Sequence, residues 1–381
     1  MKKILINLVT TPESANLTPT ILKCLYYQKQ GLTIVICSST KVKNKINRLS
    51  PNSNFNFLII KNTREAFTKT EFLKESLKRN IKIIGLLNSI KFQKYDYVYS
   101  LSVLDLCILP FALKLIDKHI KWVAVFDNIV PLNDPGPKLI RFLAWLFFHI
   151  SLLLLKKTDN IFAISPELKN YLITHGFSLN KVTITGNAVE GDLIKKTIAP
   201  NTLKYDSIYI GRINETKGIF DMLDVVSKIK IEYPKFKLAI IGKGDKPTET
   251  KFRHRIKQMR LTKNIILLGF IDGIEKFKLI KSSKTFIFLS KSKSESFGVA
   301  LLEAVCCGLK AFAYDLPAYN NIYKNNEIYR FQIGDTNSVA RVLIKTLKSG
   351  DYHNIIDKKM IDKYSWKHIA ALEYRTLVNI L

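Results

Sequence analysis

Four charged residues in the C-terminal half of this chain stand where they could do chemistry: Arg212, Lys217, Glu295 and Glu303. The first two belong to Ser207-Ile208-Tyr209-Ile210-Gly211-Arg212-Ile213-Asn214-Glu215-Thr216-Lys217-Gly218. This reads as a strand, a Gly-marked turn and a helix whose apolar Ile219, Met222, Leu223, Val226 and Ile229 recur at spacings of three and four. Open α/β sheets bind ligands at the carboxyl ends of their strands, and a helix N-terminus favours anions. An arginine fork beside a lysine point charge suits a diphosphate. The plain alternative is two surface cations of a Lys-rich protein. Glu295 and Glu303 sit eight positions apart in Ser290–Ala304, after a strand expected at Thr285–Leu289. Glu295 falls in the loop, Ser296, Phe297 and Gly298 open a helix, and Glu303 lies inside it. That separation does not suit one acid–base pair, but two carboxylates could grip two ends of an extended ligand. Amides at Ser296–Gly298 would donate to phosphate or sugar oxygens. Glu303, between Leu302 and Ala304, is expected to be buried and therefore to need a partner, such as a ribose hydroxyl; an exposed helix position is the alternative.

These residues have to be held by strands and helices, and the rest of the sequence supplies them. Short apolar runs at Lys3–Val9, Thr33–Cys37, Phe55–Ile60, Tyr97–Leu101, Trp122–Phe126 and Asn160–Ile164 alternate with helical spacing, as in Leu17–Gln30 and Val103–Lys118. A second series runs through Ser207–Ile210, Lys237–Ile241, Ile265–Leu268, Thr285–Leu289 and Ala311–Tyr314. Such alternation predicts βαβ units and parallel sheets. The stretch Asn187–Leu203, with little periodicity and Ala199-Pro200-Asn201, reads as the linker. The fold class is α/β, with two Rossmann-like domains facing across a cleft. Residues 1–190 form the first, 200–355 the second, and 356–381 a helical segment packing back toward the first. A length of 381 residues accommodates two domains of this size.

The net charge of +29 raises the question of nucleic acid. Residues 1–190 carry 26 basic and 12 acidic side chains, and residues 191–381 carry 34 and 19. So even a spread lacks the basic stripe of a nucleic-acid binder. It fits compositional bias, or attraction to an anionic membrane surface or to polyanionic substrates. Five cysteines without CxxC spacing suggest neither a zinc site nor a disulfide framework, and fit a reducing cytoplasm. Leu139–Leu155 is apolar except at Arg141, His149 and Ser151, with Lys156-Lys157 following. Its seventeen residues make a helix of about 26 Å, short of a bilayer span. Two readings stay open: a helix buried in the first domain, or one lying at a membrane interface.

In combination, the Gly-Arg…Lys-Gly segment and the Glu295…Glu303 spacing resemble glycosyltransferase family 4, retaining enzymes of the GT-B fold. Asp159–Leu168, Lys181–Asn187, Ala239–Gly244 and Leu267–Ile271 resemble further family segments, so the likeness covers about Trp122 to Pro317. The resemblance implies a retaining glycosyltransferase acting on a nucleotide-diphospho-sugar donor. Its acceptor would be a glycan or lipid-linked, in cell-surface polysaccharide or glycolipid biosynthesis. By that resemblance Arg212 and Lys217, next to Gly211, hold the diphosphate. Glu295 meets the donor sugar, Glu303 holds the ribose, and Gly269, Phe270 and Ile271 lie near the base. No cofactor and no metal is expected, and the chain lacks an Asp-x-Asp motif. The expected location is the cytoplasm, peripheral on the inner face of the membrane.

Three departures qualify the likeness. The loop after the first strand reads Thr10-Thr11-Pro12-Glu13-Ser14-Ala15-Asn16, without the family's glycines. Asp127 or Asn128 stands where the family often has a histidine, which makes Asp127 a candidate catalytic residue at a strand end. The linker carries Asn187-Ala188 in place of Asn-Gly. A nucleotide-sugar epimerase of similar build would want a different carboxylate and histidine set. A non-catalytic partner subunit would be expected to have lost Arg212, Lys217 or Glu295.

Overall fold

The computed structural model describes residues 2–8, 17–60, 93–102, 104–132, 138–292, 295–323, 327–352 and 358–380, with isolated helical positions at 78, 82, 85, 87 and 90. The loop Thr10–Asn16 lies outside the described residues. The chain divides into two compact units: Met1–Ala188 together with Trp366–Leu381, and Val189–Ser365.

The first unit is built on a parallel sheet of seven strands: β1 (Lys3–Asn7), β2 (Thr33–Ser38), β3 (Asn56–Ile59), β4 (Tyr97–Leu101), β5 (Lys121–Phe126), β6 (Asn160–Ala163) and β7 (Val182–Ile184). Their order in the sheet is β3-β2-β1-β4-β5-β6-β7. The central strands are buried on both faces, which is why they read as unbroken apolar runs such as Trp122-Val123-Ala124-Val125-Phe126. The second unit has six parallel strands: β8 (Tyr205–Ile210), β9 (Leu238–Ile241), β10 (Ile265–Gly269), β11 (Ser283–Phe288), β12 (Lys310–Tyr314) and β13 (Ile328–Phe331). They are ordered β10-β9-β8-β11-β12-β13. Each order reverses once, between β1 and β4 and between β8 and β11. At such a switch point neighbouring crossovers leave in opposite directions, and the loops at the carboxyl edge part to leave room for a ligand.

Most predicted elements are present within a residue or two of their bounds, and the differences have local causes. β13 and the helix Gly191–Lys196 are too short to show a period. The latter lies inside the stretch read as linker, yet it is fixed in the second unit: Lys281 donates to the Ile194 and Thr197 carbonyls at 2.7 and 2.6 Å. The segment 356–381 is not one piece. Its helix Lys358–Lys363 belongs to the second unit, while Trp366–Asn379 belongs to the first.

The apolar helix runs Lys138–Leu155, and only Phe148, Ser151, Leu152 and Leu155 are buried. Leu139, Phe142 and Leu153 are 69%, 48% and 63% exposed. The buried-helix expectation therefore does not hold. By length and composition this is the one described helix that could cross a membrane. His149, a polar interruption, is accommodated locally: its ring lies 4.1 Å from Trp145 and its Nδ1 donates to the Trp145 carbonyl at 2.9 Å.

Candidate functional site

The switch point of the second unit gathers three of the residues singled out by sequence. Arg212 and Lys217 follow β8, Glu295 follows β11, and these two strands are neighbours. The chain from Gly211 enters a short 3-10 turn, Glu215–Lys217, capped by Asn214 accepting from the Thr216 amide at 2.9 Å. Gly218 then adopts a left-handed φ of 70°. A Cβ there would sit 1.9 Å from the Leu289 carbonyl oxygen. Glycine at this position thus serves both the backbone conformation and a close approach. That approach brings Lys217 against the end of β11, where its Nζ meets Glu295 Oε2 at 2.5 Å. The buried Ser290 hydroxyl donates to the same carboxylate oxygen at 3.0 Å.

Arg212 is held differently. The Tyr209 hydroxyl donates to its carbonyl at 2.8 Å, fixing the backbone, while the exposed guanidinium makes no hydrogen bond or ion pair with a described residue. Burial and the Glu295 charge push the Tyr209 phenol well above its usual range, against the opposing pull of Arg212, so it remains a donor. One exposed guanidinium and one ammonium, held by the Glu295 carboxylate and lying 5.7 Å from the Phe288 ring centroid, can accept a bulky anion at this edge.

The neighbouring loops are tied to this edge by backbone bonds. The Gly211 amide donates to Ile241 at 3.0 Å, and that of Gly242 donates to Gly269 at 2.8 Å. Gly269 leads to Phe270, 57% exposed, and to half-buried Ile271. An exposed ring of this kind can stack on a flat heterocycle.

The Ser296-Phe297-Gly298 segment, expected from sequence to open a helix, does not itself form one. It is the turn that precedes the helix Val299–Cys306, with Gly298 as a left-handed N-cap at φ 69°. Phe297 is 2% exposed and packs edge-on against Tyr364, with ring centroids 5.4 Å apart. Its side chain belongs to the core, which leaves only its backbone for a ligand. Glu303 is buried, so the exposed alternative falls. Its Oε1 accepts from Lys276 Nζ at 2.7 Å, whereas no described residue bonds its Oε2. Lys276 escaped the sequence reading because it sits on the apolar face of the helix Gly273–Lys281, beside Phe277 and Ile280. A lysine among buried positions was the available signal.

Asp127 belongs to the first unit, directly after β5. The Ser102 hydroxyl donates to it at 3.4 Å. It lines a cavity of about 30 Å³, along with Thr20, Lys23, Asn187 and Glu373. That volume admits about one water molecule.

Residues 192–363 match the family described as glycosyl transferases group 1. "Uncharacterized glycosyltransferase MJ1059" of Methanocaldococcus jannaschii is 27% identical over 257 residues, which is 63% of this chain and 59% of that protein. Phosphatidyl-myo-inositol mannosyltransferase of Mycobacterium leprae is 24% identical over 169 residues, 43% of this chain and 44% of its own. The chain thus spans less than two thirds of the length of these curated relatives. Among solved structures, Anabaena Alr3699/HepE in complex with UDP-glucose matches over 100% of both chains, with a TM-score of 0.79 and 12% identity. Sucrose-phosphate synthase from Thermosynechococcus elongatus matches with a TM-score of 0.76 and 14% identity. The fold is therefore the two-domain α/β architecture of the GT-B glycosyltransferases.

Proposed function

We propose that this chain is a retaining glycosyltransferase that moves a sugar from a nucleotide-diphospho-sugar to a glycan or lipid-linked acceptor, in the making of a cell-surface polysaccharide or glycolipid. The observation that carries this reading is the grouping of Arg212, Lys217 and Glu295 at the switch point of the second unit, with the 2.5 Å Lys217–Glu295 ion pair at its centre. The match of residues 192–363 to glycosyl transferases group 1 supports it.

In this reading Arg212 and Lys217 take the diphosphate and stabilise the charge it gathers as leaving group. Binding there displaces Lys217 from Glu295 and frees that carboxylate to meet the donor sugar. The bond from the anomeric carbon to the phosphate oxygen breaks, and the acceptor oxygen bonds that carbon on the same face. The acceptor proton passes to the departing phosphate. Ribose falls to Glu303, and the base to the Gly269-Phe270-Ile271 loop. Arg212, Lys217 and the amides around Ser296–Gly298 supply the neutralisation a divalent ion would otherwise give, so catalysis needs no metal.

A panel of UDP-, GDP-, ADP- and dTDP-sugars read by thermal shift tests the donor assignment. A true donor at about 100 times its dissociation constant adds about 2.7 kcal/mol of stability, with or without EDTA. Failure of every nucleotide sugar to stabilise the protein overturns the reading, and stabilisation that EDTA abolishes overturns metal independence.

The helix Lys138–Leu155 and its exposed flanking lysines, Lys138, Lys156 and Lys157, are assigned to the anionic inner face of the cytoplasmic membrane. Exposed leucine and phenylalanine would enter the lipid boundary while the cations meet headgroups. Vesicles rich in anionic lipid should pellet the protein at low salt and release part of it as salt screens the charge. Leu139→Ser with Phe142→Ser should abolish pelleting. Equal pelleting by the double variant would remove this helix from the membrane contact.

A further inference from the structure

The helix Gly273–Lys281 starts directly after the Gly269-Phe270-Ile271 loop, and its buried lysine reaches across to Glu303, 27 positions away. Lys276 Nζ lies 2.7 Å from Glu303 Oε1, 3.6 Å from Asp272 Oδ1 and 4.0 Å from Glu190 Oε1. One ammonium thus serves three carboxylates. Burial works against its charge, but Glu303, Asp272 and Glu190 together hold it above the ordinary lysine range. Burial likewise raises the Glu190 carboxyl; Lys276 counters this, and Asp272 and Glu303 add to it. Burial pushes the Cys307 thiol up to about 12, with the Glu303 charge adding to the rise, so that thiol is neutral.

Among the described residues, only one oxygen of Glu303 is engaged. A buried carboxylate that served packing alone would be expected to have both oxygens bonded. We propose that Lys276 is a positioning residue of the donor site: it fixes Glu303 through Oε1 and leaves Oε2 to accept from a ribose hydroxyl. This deepens the donor-site reading and rests on it. Lys276 also ties the ribose carboxylate to the helix that begins at the base loop, so that base and ribose are held at a set spacing.

The test titrates UDP, GDP and ADP, their 2′-deoxy counterparts, and inorganic pyrophosphate against the full chain carrying Lys276→Met, Lys276→Arg or Glu303→Gln. Lys276→Met should weaken the matching nucleoside diphosphate about tenfold and narrow the gap between ribose and deoxyribose forms. Pyrophosphate, which needs Arg212 and Lys217 only, should bind as before. Lys276→Arg should restore part of the affinity.

Nucleotide binding unchanged in Lys276→Met, with Glu303→Gln impaired, overturns the proposal alone. So does an equal loss of nucleotide and pyrophosphate, which would mark a merely structural residue. Lys276→Gln gives the same readout where the methionine variant does not fold. Unchanged nucleotide binding in Glu303→Gln overturns the ribose reading itself, and the proposal with it.

Discussion

Among the described residues, Lys23–Glu373 in the first unit and Lys276–Glu303 in the second are buried Lys–Glu pairs, and the two are finished to different degrees. In the first unit, Lys23 Nζ meets Glu373 Oε1 at 2.9 Å, and Tyr27 and Tyr99 donate to Oε2 at 2.5 and 3.3 Å. Lys23 also donates to the Tyr99 hydroxyl at 2.8 Å. Burial, and then the Glu373 charge, push both phenols well above their usual range, so both remain donors. In the second unit Lys276 holds one oxygen of Glu303 and no described residue holds the other. A closed network gives rigidity and a fixed register, whereas a half-engaged one keeps an acceptor for something that arrives later. Glu373 lies on the helix Trp366–Asn379, so the closed network fastens that returning segment to its unit. The half-engaged pair stands beside the proposed nucleotide site.

The largest effect should come from opening the closed network. Glu373→Ala leaves the Lys23 ammonium buried without a counter-charge and should cost about 3–5 kcal/mol of stability in denaturant unfolding. Nucleotide affinity of the remaining folded protein should be unchanged. A change of less than about 1 kcal/mol would show that the network is not an anchor and would break the contrast.

Next comes the carboxylate released by Lys217. Glu295→Ala should depress turnover roughly a hundredfold while sparing nucleoside diphosphate binding, because its contacts matter most where charge develops. Glu303→Ala should do the reverse, weakening nucleoside diphosphate about tenfold with turnover at saturation nearly kept. Titration followed by single-turnover kinetics separates the two. An exchanged pattern would turn the donor end for end.

The smallest effect concerns Asp127, at the strand end near the closed network. Asp127→Asn should lower turnover several-fold at unchanged nucleotide affinity. Equal turnover would leave it as a turn residue.

The alternation of short apolar runs with amphipathic spacing was enough to predict two parallel sheets, because burial on both faces and helical periodicity are written locally. Gly211-Arg212 and Lys217-Gly218 were legible for the same reason: a strand end, a turn and a helix start follow one another within a dozen residues. So was the burial of Glu303, from its apolar neighbours Leu302 and Ala304. The short helix Gly191–Lys196 and β13 were not, since a few residues carry no period. Nor could the sequence show which cation meets which carboxylate. Among 49 lysines, Lys276 finds Glu303 27 positions away and Lys23 finds Glu373 350 positions away. Those pairings follow from the way strand order and helix packing bring distant segments together. Whether the second oxygen of each carboxylate is covered or left open is likewise decided by the tertiary structure, because it depends on every group packed around it and not on the residue's own neighbours in the chain.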